Sequence, residues 1–211
     1  MGVYFRREYD NGALIAVWEI TESEEELLAL CSVPNDELEE LQLIRNSSRR
    51  KEKLAVRALL NEIFDGKVYL GHHDNGRPYL QNSLIEVSIS HTSRFVCLLT
   101  HPDESVGIDI ESLNRNFSAV EKRALSPDEV DDLSDRDRST HLAIYWSAKE
   151  AVYKRMSRSD VDFAQQIVIK KFNPRDNGEL TALFIDKDGD EQEFKLYYEI
   201  FDGHVMAWLV G

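Results

Sequence analysis

A long helical segment followed by a run of short strands occurs twice along these 211 residues, and this order restricts the fold more than any other feature. The first helix spans about 48–64, with Leu54, Arg57, Ala58 and Leu59 in helical periodicity and Gly66 where a C-cap belongs. Strands are expected after it at 67–70, 79–80, 86–90, 95–100 and 106–111, divided by turn residues such as Asp74-Asn75-Gly76-Arg77-Pro78. The second long helix covers 138–156. Strands at 166–171, 180–185, 193–200 and 205–210 follow, split at Asn177-Gly178, Asp188-Gly189 and Asp202-Gly203. Helices segregated from antiparallel strands define an α+β class. The halves share element order without visible sequence identity.

Shorter signals fill the gaps. Residues 13–18 form a strand after the turn Asp10-Asn11-Gly12. Thr21-Glu22-Ser23-Glu24 has the spacing of a capping box opening an acidic helix, and 35–45 after Pro34 read as helical. Ser126-Pro127-Asp128-Glu129 starts another helix, with Ser126 as N-cap, Pro127 in the first helical position and Glu129 completing the box.

Charge narrows the function. A formal net charge of −14 weighs against nucleic-acid binding, which needs a basic face. Any anionic substrate must therefore meet a local cluster of cations or a metal ion. Cys31 and Cys97 have no metal-ligand spacing and fit a reducing compartment. The N-terminus has no apolar signal core, and no apolar run reaches the ~18–20 residues of a membrane span. The expectation is a cytoplasmic protein without a membrane partner.

Three stretches carry chemistry. In Val106-Gly107-Ile108-Asp109-Ile110-Glu111, strand alternation puts Asp109 and Glu111 on one face. Adjacent carboxylates repel unless a cation lies between them, and Mg²⁺ is the usual oxygen-bound choice beside phosphates. Taken alone, the same alternation also describes a strand with one solvated face. In Trp146-Ser147-Ala148-Lys149-Glu150-Ala151-Val152-Tyr153-Lys154, residues 146, 150 and 154 lie along one helix face. That is either a surface Glu-Lys pair beside a core tryptophan, or a third metal carboxylate with a phosphate-contacting lysine. In Val87-Ser88-Ile89-Ser90-His91-Thr92, His91 ends an apolar strand, either satisfied by backbone or part of a phosphate pocket with Ser90.

The ordered combination SISHT, GIDIE and WSAKEAVYK, about 15 and then about 35 residues apart, resembles the 4′-phosphopantetheinyl transferase superfamily, in its longer, surfactin-synthetase-activating type. Gly76-Arg77-Pro78-Tyr79 is similar to the family's G-(K/R)-P element, and 49–60 to its basic helix. The resemblance covers roughly 45–172; the first and last 40 residues match only in element type.

The resemblance implies a pseudo-dimer of two similar α+β halves, divided near residue 103 into 1–103 and 104–211, with coenzyme A in the cleft between them. It implies Mg²⁺ on Asp109, Glu111 and Glu150, phosphate contact by Lys154, the 3′-phosphate region near Ser90 and His91, and Arg77 near the adenine. One basic residue of the helix reaches the nucleotide phosphates; Arg49, Arg50 and Lys51 compete for this, with Arg50 favoured. The implied reaction moves phosphopantetheine from coenzyme A to a serine of an acyl or peptidyl carrier protein. Glu150, or a water it orients, takes the serine proton. Arg115, Lys122 and Arg123 are candidates for docking an acidic carrier. Two pseudo-repeats in one chain fit a monomer. Ala124 stands where the family typically has an aromatic, and the acidic 22–40 segment lacks the basic residues some members use. A non-catalytic module binding coenzyme A or a carrier is the alternative; a metal-dependent nuclease or nucleotidyltransferase would leave SISHT and WSAKEA without a role.

Overall fold

The computed structural model describes residues 2–31, 33, 35–65 and 68–211, with only the backbone described at 35 and 36. In chain order the elements are β1 (Val3–Glu8), β2 (Leu14–Glu19), α1 (Glu24–Leu30), α2 (Asn35–Leu43), α3 (Ser47–Phe64), β3 (Leu70–His72), β4 (Pro78–Leu80), β5 (Glu86–His91), β6 (Phe95–His101) and β7 (Val106–Ser112). They continue with α4 (Ser118–Ala124), α5 (Pro127–Asp132), α6 (Arg138–Met156), α7 (Phe163–Gln166), β8 (Ile167–Ile169), β9 (Asn177–Ile185), β10 (Glu191–Phe201) and β11 (His204–Val210). The fold is mixed α+β with antiparallel sheets. One sheet has the order β1-β2-β6-β5, the other β7-β11-β10-β9-β8, and β3-β4 form a small hairpin.

Strand alternation sorts side chains into layers. In the first sheet Ala16, Trp18, Val96 and Leu98 pack with Leu54, Ala55, Ala58 and Leu59 of α3. Their neighbours Ile15, Val17, Phe95, Cys97 and Leu99 pack instead against Val106, Ile108, Ile110, Met206 and Trp208 of the second sheet. Val205, Ala207 and Leu209 then face Ile144, Ala148 and Val152 of α6. The order is helix, sheet, sheet, helix, with an apolar layer between the sheets. Each fully buried aliphatic side chain contributes roughly 1.5–3 kcal/mol.

The helix ends follow local chemistry. Ser126 caps α5 with Glu129 reciprocating and Pro127 at the start, as the sequence predicts. The first capping box sits two residues later than expected: Ser23 accepts from Glu26 N, and Glu26 accepts from Ser23 N. Glu22 is instead turned inward, accepting from Trp18 Nε1 at 3.3 Å. Asp65, in the left-handed region at φ 52°, ends α3, while the expected C-cap Gly66 and the start of the 67–70 strand lie outside the described residues.

Three other expectations shift. Asn177 and Gly178 are not a turn but the first residues of β9, paired with Glu199 and Tyr198. The strand expected over 166–171 shortens to Ile167–Ile169, because Asp162 caps a helical turn immediately before it. β1 and α4 were not anticipated: β1 is an edge strand with mostly exposed side chains, and α4 spans only seven residues.

Candidate active site

The site forms where one edge of each sheet meets. β5 ends the first sheet and β7 ends the second. β7 has β11 on one side only, so its other edge carries backbone groups that need partners. Ser88 Oγ accepts from Ile108 N at 3.0 Å, and Lys154 Nζ donates to Ile108 O at 3.1 Å. Two residues along β5, on the same face, Ser90 Oγ donates to Asp109 Oδ1 at 2.7 Å.

α6 lies on β7 at very close range. A Cβ on Gly107 would stand 2.0 Å from Ala151 O, so only glycine permits this approach. The contact brings the 146-150-154 face of α6 over the two strand carboxylates. Lys154 Nζ donates to Asp109 Oδ1 at 2.8 Å, and Trp146 Nε1 donates to Glu111 Oε1 at 2.8 Å. Helix and strand therefore run antiparallel here, with Glu150 between the two contacts.

The electrostatics are those of crowded carboxylates. Burial and the nearby Asp109 charge push Glu150 up to about 7. Burial and Asp109 also raise Glu111, although Arg115 and Trp146 bond to it. Burial disfavours the Lys154 ammonium, but Asp109 overcomes this and its pKa rises. Asp109 is only 4% exposed, and its Oδ2 has no hydrogen-bond partner. A buried, unpartnered carboxylate oxygen among like charges is a chemically fitting ligand for a cation. Yet among the described residues no group of three or more His, Cys, Asp or Glu side chains is assembled as it stands to hold a metal ion.

The remaining sequence candidates divide. Arg77 pairs with Glu86 and lines a cavity of about 180 Å³ with Ser88, Tyr153, Lys154 and Arg158. His91 Nδ1 lies 3.3 Å from Glu52 Oε2; burial lowers its pKa against Glu52, and Arg49, Lys154 and Asp109 all act on it. Arg50 is engaged elsewhere, donating to Glu24 Oε1 at 2.7 Å and to Ile44 O at 2.6 Å. Of the three competing basic residues, Arg49 is the one whose charge reaches His91. Lys122 and Arg123 are exposed on α4.

Some contributors escape sequence reasoning. Ser88 gives no signal beyond alternation with Ser90. Lys149 adjoins Glu150 in sequence but points the other way, fully buried, with Nζ 2.8 Å from Glu129 Oε2 and donating to Phe163 O and Ile167 O. It anchors α6 to α5 and β8 and takes no part in the site.

Residues 105–208 match the family model of the 4′-phosphopantetheinyl transferase superfamily (ACPS). The matched segment includes β7 and α6, which carry Asp109, Glu111, Glu150 and Lys154. The match supports a transferase acting in phosphopantetheine transfer. Comparison with curated proteins finds no match. Among the described residues no helix is long and apolar enough to cross a membrane.

Proposed function

We propose that this chain is a 4′-phosphopantetheinyl transferase of the longer, surfactin-synthetase-activating type, moving phosphopantetheine from coenzyme A to a serine of an apo acyl or peptidyl carrier protein with Mg²⁺. The observation that carries this reading is the meeting of Asp109, Glu111 and Glu150 beside Lys154, with Asp109 Oδ2 buried and unpartnered. The two helix-on-sheet halves, 1–103 and 104–211, are read as a pseudo-dimer with this site in the cleft between them. The enzyme is read as a cytoplasmic monomer.

Asp109, Glu111 and Glu150 would hold the metal. Bound there, Mg²⁺ neutralises charge gathered on the pyrophosphate of coenzyme A. The chain supplies the rest. The serine oxygen forms a bond to the β-phosphorus, the pyrophosphate P–O bond breaks, and adenosine 3′,5′-bisphosphate leaves. Lys154 places a cation beside the carboxylates, where the transferring phosphate gathers charge. Ser90 fixes Asp109, and His91 with Arg49 offers donors to the 3′-phosphate. Arg77 lies in the adjoining cavity, toward the adenine. Glu150, or a water it orients, accepts the serine proton, for which it must lie within hydrogen-bond reach of the hydroxyl.

The test is chromatographic release of adenosine 3′,5′-bisphosphate by wild type and Asp109→Ala, in the presence of an apo carrier. Wild type should release one equivalent per carrier modified. Asp109→Ala should release none while keeping the wild-type circular dichroism spectrum. Full release by a folded Asp109→Ala sinks the metal assignment. Tight coenzyme A binding without release in wild type points to a binding module.

A further inference from the structure

Burial and then the Asp109 charge raise the pKa of both Glu111 and Glu150, yet the three carboxylates do not stand as a metal cage. Two of them are occupied by cations of the chain itself. Lys154 sits on Asp109 from within the fold. Glu111 is held differently, by Arg115, which belongs to the turn after β7 and is 45% exposed against 14% for the Glu111 side chain. Both Arg115 and Trp146 donate to the same oxygen, Oε1 of Glu111. The guanidinium lies 5.4 Å from the Phe117 ring centroid and 5.8 Å from that of Trp146, so two aromatic faces hold it there. Phe117 is itself buried and fixes that end of the arrangement. Arg115 is the more exposed of the two cations, 45% against 26% for the Lys154 side chain, and can leave toward solvent.

We propose that Arg115 is a cationic latch: it occupies Glu111 in the metal-free protein and must be displaced when a divalent cation enters. This rests on the metal reading above. It makes Arg115 a positioning residue, acting through Glu111. A carboxylate oxygen shared between a guanidinium and an indole is poorly available to a third cation, so entry of the ion trades the arginine pair for a metal bond. The latch also spares the protein an uncompensated carboxylate while the site is empty. Arg115 then weakens metal affinity by about the strength of a half-exposed ion pair, roughly three- to fivefold.

The test measures Mn²⁺ binding to the whole chain at neutral pH, without coenzyme A, by the electron paramagnetic resonance of free Mn²⁺. Arg115→Met keeps the packing on Phe117 and Trp146 but removes the charge. It should bind Mn²⁺ about three- to fivefold more tightly than wild type. Trp146→Phe removes a hydrogen bond without a charge and should tighten binding less than Arg115→Met does. A second readout is tryptophan emission: Mg²⁺ should change it in wild type, by moving the guanidinium off Trp146, and change it less in Arg115→Met, where only the indole's own bond to Glu111 is perturbed. Equal or weaker Mn²⁺ binding by Arg115→Met, or equal tightening by Trp146→Phe, overturns the latch while leaving the metal site standing. Mn²⁺ binding by neither wild type nor Arg115→Met overturns both readings together.

Discussion

Replacing Glu150 by Gln should stabilise the metal-free protein at alkaline pH, a gain that runs opposite to its effect on activity. Glu150 is pushed up to about 7, against 4.5 for an ordinary glutamate, chiefly by burial and then by Asp109. Between these two pH values the folded chain binds more protons than the unfolded one, so stability falls as pH rises through the window. The displacement, about 2.5 pH units at 1.36 kcal/mol each, sets an upper figure of ~3 kcal/mol. Residual solvent screening at this partly exposed carboxylate trims it to ~2–3 kcal/mol. Glutamine keeps the shape and has no proton to lose. In urea melts with chelator present, Glu150→Gln should match wild type at about pH 5 and exceed it by ~2–3 kcal/mol at about pH 8. For a chain of this length that is on the order of 5–10 °C in Tm. Adding Mg²⁺ at the higher pH should recover much of the difference for wild type and little for the variant. A glutamine variant no more stable than wild type at alkaline pH would refute the burial of Glu150 beside Asp109 on which the site is built.

Gly107→Ala should cost about 1–3 kcal/mol or more, because its Cβ meets Ala151 O and must push α6 from β7. Thermal melting reads the loss, and activity should fall with it as Lys154 and Glu150 withdraw. Lys149→Ala leaves Glu129 buried without its cation and should cost about 3–5 kcal/mol. Its activity per folded molecule, measured at low temperature after correcting for the folded fraction, should stay near wild type, because Lys149 faces away from the site.

Much of this arrangement is legible in the sequence because it depends on short-range periodicity. Alternation along 106–111 places Asp109 and Glu111 together, and the four-residue spacing of Trp146, Glu150 and Lys154 aligns them on α6. The structure brings these two faces into contact, as the ordered motifs imply. What stays hidden depends on contacts between distant elements. Arg49, Arg50 and Lys51 compete in sequence, with Arg50 favoured; only the packing of α1 against α3 shows that Glu24 holds Arg50. Lys149 adjoins Glu150 in sequence, but a one-residue step on a helix turns it by about 100° into the core, onto Glu129. Arg115 reads as a candidate for docking an acidic carrier; only the turn after β7 shows that it returns to Glu111. β1 escapes because an exposed edge strand such as Val3–Glu8 lacks the apolar alternation of a half-buried one.

The central claim is tested most directly by weighing the product. Purified protein, coenzyme A and Mg²⁺ are mixed with an apo acyl carrier protein, and the carrier is examined by intact mass spectrometry. The account predicts a gain of one phosphopantetheine, lost with chelator and lost when the carrier serine is changed to alanine. No gain across a panel of acyl and peptidyl carriers, from protein that is folded and binds coenzyme A, would contradict it.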